Sequence, residues 1–316
     1  MEYIHNTEKF QFRHTVVALG KFDGMHKGHQ LIFDKLIEYK KQGYQATVFS
    51  FDRPPLNMLT HKDIRVIYTH KEKTRLLSER GIDVYIEHPF TDEFSHLSPE
   101  DFVKKVLLEK TGMEVLVVGD DCGFGYKRRG NVELLEKMSK EYNFKLIVIP
   151  KLELEGEIVS STRIRSLLKE GNVMEANRLM ETPFFIYGPV VHGNQIGKEV
   201  LGIPTANQVP EEHKLLPPNG VYVSRIIYKD QTYYGISNIG TKPTIEGKKH
   251  MGVETYIFDF EKNIYHKEIC VELLYFKRPE MKFESLDALS QQMHTDAQFG
   301  LEYVKKHYGY ISNPMK

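Results

Sequence analysis

His26 and His29 stand three residues apart in the run Gly20-Lys21-Phe22-Asp23-Gly24-Met25-His26-Lys27-Gly28-His29. The run follows an apolar strand-like segment and precedes a stretch with helical spacing, so both imidazoles can project from one face of a helix's first turn. Gly20, Gly24 and Gly28 let the backbone approach a ligand closely, and Phe22 and Asp23 complete the loop. The helix N-terminus offers unpaired N–H groups to anionic oxygens. That helix end contributes roughly 0.3–1 kcal/mol per charge, against roughly 1.5–3 kcal/mol for a hydrogen bond to a charged group, so the histidines outweigh the dipole. By itself H-x-G-H would read as a capping pair after a tight turn. The strand context and the preceding Gly-x-Phe-Asp-Gly point instead to phosphate handling.

About 130 residues later, Ile158-Val159-Ser160-Ser161-Thr162-Arg163-Ile164-Arg165 puts hydroxyls before a helix and arginines in its first turn. Ser161 or Thr162 alone would be an ordinary N-cap. With Arg165 the segment becomes an anion site, able to stabilise charge that develops on a cleaved triphosphate. Between the two lies Gly119-Asp120-Asp121-Cys122-Gly123-Phe124-Gly125-Tyr126-Lys127-Arg128-Arg129-Gly130, a loop after a buried strand. Its aromatics could stack on a flat ligand, and its basic residues could meet a phosphate.

The later part of the chain carries a second set. Gly188-Pro189-Val190-Val191-His192-Gly193-Asn194-Gln195-Ile196-Gly197 precedes Leu201-Gly202-Ile203-Pro204-Thr205-Ala206-Asn207. The glycines permit close approach to phosphates, and the Thr205 hydroxyl and Asn207 carbonyl are hard oxygen donors suited to Mg²⁺. A glycine-rich hairpin with an Asn turn is the plainer alternative. Gly235-Ile236-Ser237-Asn238-Ile239-Gly240-Thr241-Lys242-Pro243-Thr244 and Val253-Glu254-Thr255-Tyr256-Ile257-Phe258-Asp259-Phe260 follow.

The elements that must position these residues are legible from periodicity. Strands are predicted at 14–19, 45–51, 83–87 and 114–118, with helices at 28–41, 71–80, 99–110 and 131–141. This alternation implies a mostly parallel sheet covered on both faces, whose ligands sit at the carboxyl ends of the strands. From about 183 Pro and Gly become frequent, and strands at 185–191, 220–228, 232–238, 252–260 and 268–276 indicate an antiparallel β domain, a small barrel with a helix at 286–307 packed on it. The boundary is expected near 180–186, giving domains 1–182 and 183–316. With 316 residues, 41% hydrophobic and 27% charged, the chain has the composition of a folded two-domain protein. It has no apolar run approaching the ~20 residues of a membrane span and no leader pattern, so a cytoplasmic protein without a membrane partner is expected. Lys+Arg and Asp+Glu both number 43, which leaves no global field to attract nucleic acid and favours a small phosphorylated ligand. Two cysteines, Cys122 and Cys270, are too few for a disulfide framework. The oligomeric state is not legible.

The ordered set G-x-F-D-G-x-H-x-G-H, G-x-D-x-x-F-G and S-S-T-x-I-R resembles the adenylyltransferase module of bacterial bifunctional riboflavin kinase/FAD synthetases, and the motifs over 184–305 resemble riboflavin kinases. The resemblance implies a first domain of the H-x-G-H nucleotidyltransferase-like Rossmann type. There His26 and His29 would bind the ATP phosphates, Ser161, Thr162 and Arg165 would finish the nucleotide site, and Asp121 and Phe124 would lie near the flavin. In the second domain it implies that Glu254 takes the proton from the ribityl 5′-hydroxyl, that Thr205 and Asn207 hold the magnesium of ATP, and that the segment from Arg278 to Phe283 borders the flavin pocket. Gly188, His192, Gly193, Gly197, Gly202, Pro204 and Asn238 would complete that site. The implied reactions are ATP + riboflavin → FMN + ADP and ATP + FMN → FAD + pyrophosphate.

The sequence departs from the family pattern at Cys122, where Phe is usual, at Arg53 in Phe51-Asp52-Arg53-Pro54-Pro55, and at Ile196, where Arg is usual. A kinase alone, or a flavin-binding regulator with silent domains, remains as an alternative. The regulator would not need His29 and Glu254 together.

Overall fold

The structure is a computed structural model and describes residues 1–52, 65–193, 205–243 and 249–310. The chain divides into two compact units, Met1–Ser161 and Thr162–Lys316.

The first unit is built on a six-stranded parallel sheet. Its strands are β1 (Glu2–His5), β2 (Thr15–Leu19), β3 (Gln45–Phe51), β4 (Val84–His88), β5 (Met113–Gly119) and β6 (Lys145–Ile149), in the spatial order β1-β4-β3-β2-β5-β6. Every residue of β2 is buried, as the run Thr-Val-Val-Ala-Leu requires when helices cover both faces. The helices are α1 (Lys27–Lys40), α2 (His70–Glu79), α3 (Asp92–Ser95), α4 (Pro99–Asp101, continuing as a π-helical stretch Phe102–Leu108) and α5 (Val132–Tyr142). Thr69 and Glu72 start α2 with a reciprocal capping box. From β2 the chain steps through α1 to β3 on one side, and β5 later takes the place on the other side. The strand order therefore reverses at β2, which opens a crevice beyond its carboxyl end, flanked by the loops after β2 and β5.

The second unit begins one residue into α6 (Ser161–Lys169) and continues with α7 (Val173–Leu179). Asn177 of α7 donates to the Leu273 carbonyl at 2.8 Å and accepts from the Phe184 N–H at 2.8 Å, tying α7 to the strand that carries Leu273 and to the first residues of the barrel. These bonds join α7 to the second unit, whose first residue, Thr162, precedes the boundary expected at 182/183. The barrel strands are β9 (Phe185–Pro189), β10 (Thr205–Gln208), β11 (Gly220–Tyr228), β12 (Gln231–Pro243), β13 (Lys249–Ile257) and β14 (Glu268–Pro279), all antiparallel in the order β10-β13-β12-β11-β14-β9; β7 (Glu153–Leu154) and β8 (Glu157–Ile158) form a small hairpin in the first unit. The outer strands meet where Val191 N–H donates to the Asn207 carbonyl at 2.7 Å, and the Gln208 amide reaches the Gly188 and Ile269 carbonyls.

Alternate barrel residues divide between two faces. Tyr222, Ser224, Ser237, Ile239, Val253 and Thr255 are buried on one, where the Ser237 and Thr255 hydroxyls pair at 2.8 Å. Val223 on the other face, with Phe258 just past β13, packs against Val304 of α8 (Leu286–Tyr308). Gly300 allows that approach, since a Cβ there would lie 2.6 Å from Ile236 and 3.0 Å from Phe258. Against expectation, β1, β6, the β7–β8 hairpin, α3, α7 and β10 are additional elements. β6 was signalled by its Leu-Ile-Val-Ile run, whereas β10 is a strand only because β13 pairs with it.

Candidate functional site

In the first unit His26 is the N-cap of α1. Its φ of −74° and ψ of 169° are extended, and its Nδ1 accepts from the His29 N–H at 3.3 Å. That bond puts the proton of a neutral His26 ring on Nε2. The two rings stack, centroids 3.6 Å apart and 18° between planes, and Phe22 meets His29 edge-on at 5.2 Å. Burial lowers the His26 pKa to about 4, although the Asp121 charge works the other way. Burial, and then the neighbouring His26, hold His29 well below the ordinary imidazole value. Both rings are thus neutral at neutral pH. His29 Nδ1 is buried without a hydrogen-bond partner in the described structure.

The turn before α1 is tight: Phe22, Gly24 and Met25 have φ of 48°, 79° and 34°. Phe22 and Met25 bear the strain of the left-handed region, and both are 3% exposed and fixed by packing. Gly20 lies under the Phe22 ring and Gly28 beside the His26 ring. The Asp23 carboxylate accepts from the Ile67 and Tyr68 N–H groups at 2.9 and 3.2 Å, and its carbonyl accepts from the Ser161 hydroxyl at 2.6 Å. Asp23 and Ser161 therefore hold the loop together, a role the motif alone did not suggest. Thr162 is exposed and Arg165 half-buried, one and four residues further along α6.

Asp121 is largely exposed and pairs with Lys151 at 3.3 Å. Phe124 turns its ring into the core of the first unit. It is 6% exposed, its ring lies 5.8 Å from Phe102, and its backbone pairs with Gly130 in both directions. The hydrophobic cluster under the sheet claims that ring, and Tyr126 stacks on His96. Cys122 is a free thiol raised to about 11 by burial. Arg53 lies outside the described residues.

In the second unit register does what sequence spacing cannot. Asn207 on β10, Glu254 on β13 and Asn238 on β12 stand directly opposite one another, and Asn238 in turn faces Val221, which faces Arg278. Directly opposed residues share a face, so four expected site residues from four strands form one row. Glu254 Oε1 accepts from the Thr205 hydroxyl at 2.8 Å, and Oε2 from Lys242 Nζ at 2.8 Å. The Asn207 amide lies against Gly193, and His192 stacks on Tyr265 at 4.0 Å. A cavity of about 110 Å³ is lined by residues that include His192, Gly193, Asn207, Lys242, His250 and Glu254. Gly188 borders it only through its carbonyl bond to Gln208. Gly197, Gly202, Pro204 and Ile196 lie outside the described residues.

Arg278 is held within the second unit. Its guanidinium is held by Asp296 of α8, with Nε and a terminal nitrogen 2.6–3.2 Å from the carboxylate oxygens, and Lys277 shares the same carboxylate at 2.6 Å. Asp296 is 2% exposed, and Arg278 fastens α8 to β14. Lys242, His250 and Gly252 were missed by sequence reasoning. The signal available was the period-two spacing of 250, 252 and 254, which puts all three on one strand face.

The Thr205 hydroxyl, the Asn207 amide oxygen and the Glu254 carboxylate are a hard-oxygen set of the kind Mg²⁺ takes alongside substrate phosphates. Among the described residues no group of three or more His, Cys, Asp or Glu could form an all-protein metal cage.

Comparison with known proteins covers both units. A family model described as FAD synthetase matches residues 8–163, and one described as riboflavin kinase matches residues 180–304. A protein of Buchnera aphidicola subsp. Schizaphis graminum named bifunctional riboflavin kinase/FMN adenylyltransferase is 36% identical over 98% of this chain and 98% of its own. A protein of the same name from Escherichia coli is 33% identical over 93% and 94%. A crystal structure from Streptococcus pneumoniae, titled macrolide-efflux protein, superposes with a TM-score of 0.80 at 31% identity, covering 97% of this chain and 98% of that one. Among the described residues of the present chain no helix is long and apolar enough to cross a membrane.

Proposed function

This chain belongs to the family of bifunctional riboflavin kinase/FMN adenylyltransferases, and from that premise we propose how its two sites divide the work. The protein phosphorylates riboflavin to FMN with ATP, and adenylylates FMN to FAD with release of pyrophosphate. Adenylyl transfer belongs to residues 1–182 and the kinase to residues 183–316. Both reactions draw on ATP, which suits a cytoplasmic enzyme.

In the first site the stacked, neutral rings of His26 and His29 donate hydrogen bonds to triphosphate oxygens at the start of α1, where the helix end adds its own N–H groups. Gly20, Phe22, Asp23, Gly24 and Gly28 shape the loop, and Ser161, Thr162 and Arg165 complete the nucleotide site. Pyrophosphate leaves as the FMN phosphate attacks the innermost phosphorus, so the developing charge lies on oxygens these donors already face. Asp121 and the Phe124 loop flank the flavin side.

In the second site Glu254 accepts the proton of the ribityl 5′-hydroxyl as that oxygen attacks the terminal phosphorus. Phosphoryl transfer asks for little more than positioning, charge neutralisation and one oriented base. Thr205 and Asn207 hold Mg²⁺, which, when bound, neutralises phosphate charge. Gly188, His192, Gly193, Gly197, Gly202, Pro204 and Asn238 line the nucleotide and flavin paths, with Arg278 bracing the wall through Asp296.

The observation that carries this reading is Glu254, fixed through one oxygen by the Thr205 hydroxyl and set opposite Asn207 in the described cavity. The test is to incubate the purified protein with MgATP and riboflavin and separate the flavins by chromatography. FMN and FAD should both appear. FMN alone leaves a kinase, and neither product removes the reading.

A further inference from the structure

We infer that Lys242 is a nucleotide-operated latch on Glu254, holding the carboxylate until a triphosphate draws the ammonium away. The inference rests on the reading of Glu254 as the kinase base.

Both Glu254 oxygens are engaged, Oε1 by the Thr205 hydroxyl and Oε2 by Lys242 Nζ, each at 2.8 Å. A carboxylate occupied in this way is a poor acceptor for a third donor, because the ammonium competes for the lone pairs that an incoming hydroxyl must use. For the proton of that hydroxyl to pass to Glu254 while the new O–P bond forms and ADP departs, Oε2 must be released.

The geometry provides for the release. Lys242 lies on β12 directly opposite His250, with Gly240 opposite Gly252 and Asn238 opposite Glu254 in the next rows on the same face. The lysine reaches Glu254 by laying its stem across Gly252, where a Cβ would stand 2.8 Å from Lys242 Cγ. The absent side chain at 252 is thus the track on which the lysine moves. At one end of the track is Glu254; at the other is His250, whose Nδ1 is buried, lines the same cavity and has no hydrogen-bond partner among the described residues.

Lys242 is also the sole lysine or arginine among the cavity's described lining residues, so an entering triphosphate meets its charge there. Lysine suits the role, since its ammonium is a compact charge on a flexible four-carbon stem. The pair with Glu254 is partly open to water, 28% and 25% exposed, which makes it inexpensive to exchange for a bond to a phosphate oxygen. Nucleotide binding therefore uncovers the base, and riboflavin binds productively only after ATP has arrived.

The test uses the full chain, with initial rates of FMN formation measured while MgATP and riboflavin are both varied. In the wild type the KM for riboflavin falls as MgATP rises. Lys242→Met raises the KM for ATP about tenfold, the scale of one lost charge-assisted bond, and makes the riboflavin KM independent of MgATP. Lys242→Arg keeps both properties. Gly252→Ala displaces the stem and shifts both parameters in the same direction as Lys242→Met, which decides the matter if that variant fails to fold. The latch is overturned if Lys242→Met retains the wild-type ATP KM and substrate interdependence, or lowers kcat alone by one factor at all concentrations, as a static support would. A wild-type protein that forms no FMN removes the kinase reading itself, and the latch with it.

Discussion

His26→Asn separates what the imidazole ring does from what the helix cap does, because asparagine is as good an N-cap as any residue. Burial holds the His26 pKa at about 4. Protonating it at pH 7 spans about three units and costs about 4 kcal/mol. A hydrogen bond involving a charged group contributes roughly 1.5–3 kcal/mol in all, less than that cost, so the neutral ring with its proton on Nε2 is the form that meets ATP. Burial and the neighbouring His26 hold His29 well below the ordinary imidazole value too, and the stacking at 3.6 Å sets each ring against a charge on the other. Removing one preorganised donor should lower kcat for FAD formation by roughly 10²–10³. The assay is FAD formation from supplied FMN and MgATP, as kcat/KM for ATP, from pH 5.5 to 8. Substrate phosphates titrate within this range, so the informative quantity is the wild-type to His26→Asn ratio, in which they cancel. The ratio should be flat. A ratio falling about tenfold per pH unit would mean that the ring binds as the cation, and a midpoint near the ordinary histidine value would mean that it is not desolvated; either refutes the reasoning.

Three further outcomes follow from other parts of the structure. Glu254→Gln should lower FMN formation by at least about 10² while leaving FAD formation from supplied FMN intact, and His29→Ala should do the reverse; equal loss of both activities in either variant would contradict independent sites. Burial alone would raise Glu87, yet hydrogen bonding from His70, the Lys73 charge and the Tyr3 hydroxyl bring it to about 2. A depressed carboxylate stabilises the fold above its unfolded value near 4.5 and loses that stability as pH falls towards 2. The worth is about 3 kcal/mol, of which about 2 should vanish between pH 6 and pH 3. Hydrogen-exchange protection of β1 and β4 should register this loss, and Glu87→Gln should abolish the pH dependence; a wild type with no such acid loss would refute the assignment. Gly300→Ala should destabilise the second unit by about 1–3 kcal/mol through contact with Ile236 and Phe258, seen as a lower urea midpoint for FMN-forming activity, whereas an unchanged midpoint would show that α8 shifts freely.

Much of the architecture was legible because it rests on local patterns. The run Thr15–Leu19, apolar after its first residue, read as a strand covered on both faces, and the alternation that follows it indicated a parallel sheet. β10 was not legible, since Thr-Ala-Asn-Gln has no strand pattern of its own and is held by Glu254 and its neighbours on β13. The same distinction runs through the sites. His26 and His29 were recognisable as a pair, but not as an N-cap stacked on its neighbour. Phe124 read as one of the aromatics of a basic loop, and the sequence did not show that its ring packs into the core beneath that loop. Arg278 stood in a segment expected to border the flavin pocket, and the sequence did not show that the buried Asp296, eighteen residues away on another element, holds it.

By itself the sequence determined the order and kind of the elements and the chemical types gathered in each loop, because periodicity, turn residues and motif spacing act over a few neighbours. Only the tertiary structure decided which of those residues meet. Strand register aligned Asn207, Glu254 and Asn238 from three strands, and burial set the charge of His26 and His29. Long-range pairing also chose which cation would bind which carboxylate. These depend on contacts between residues far apart in the chain, and no local pattern records them.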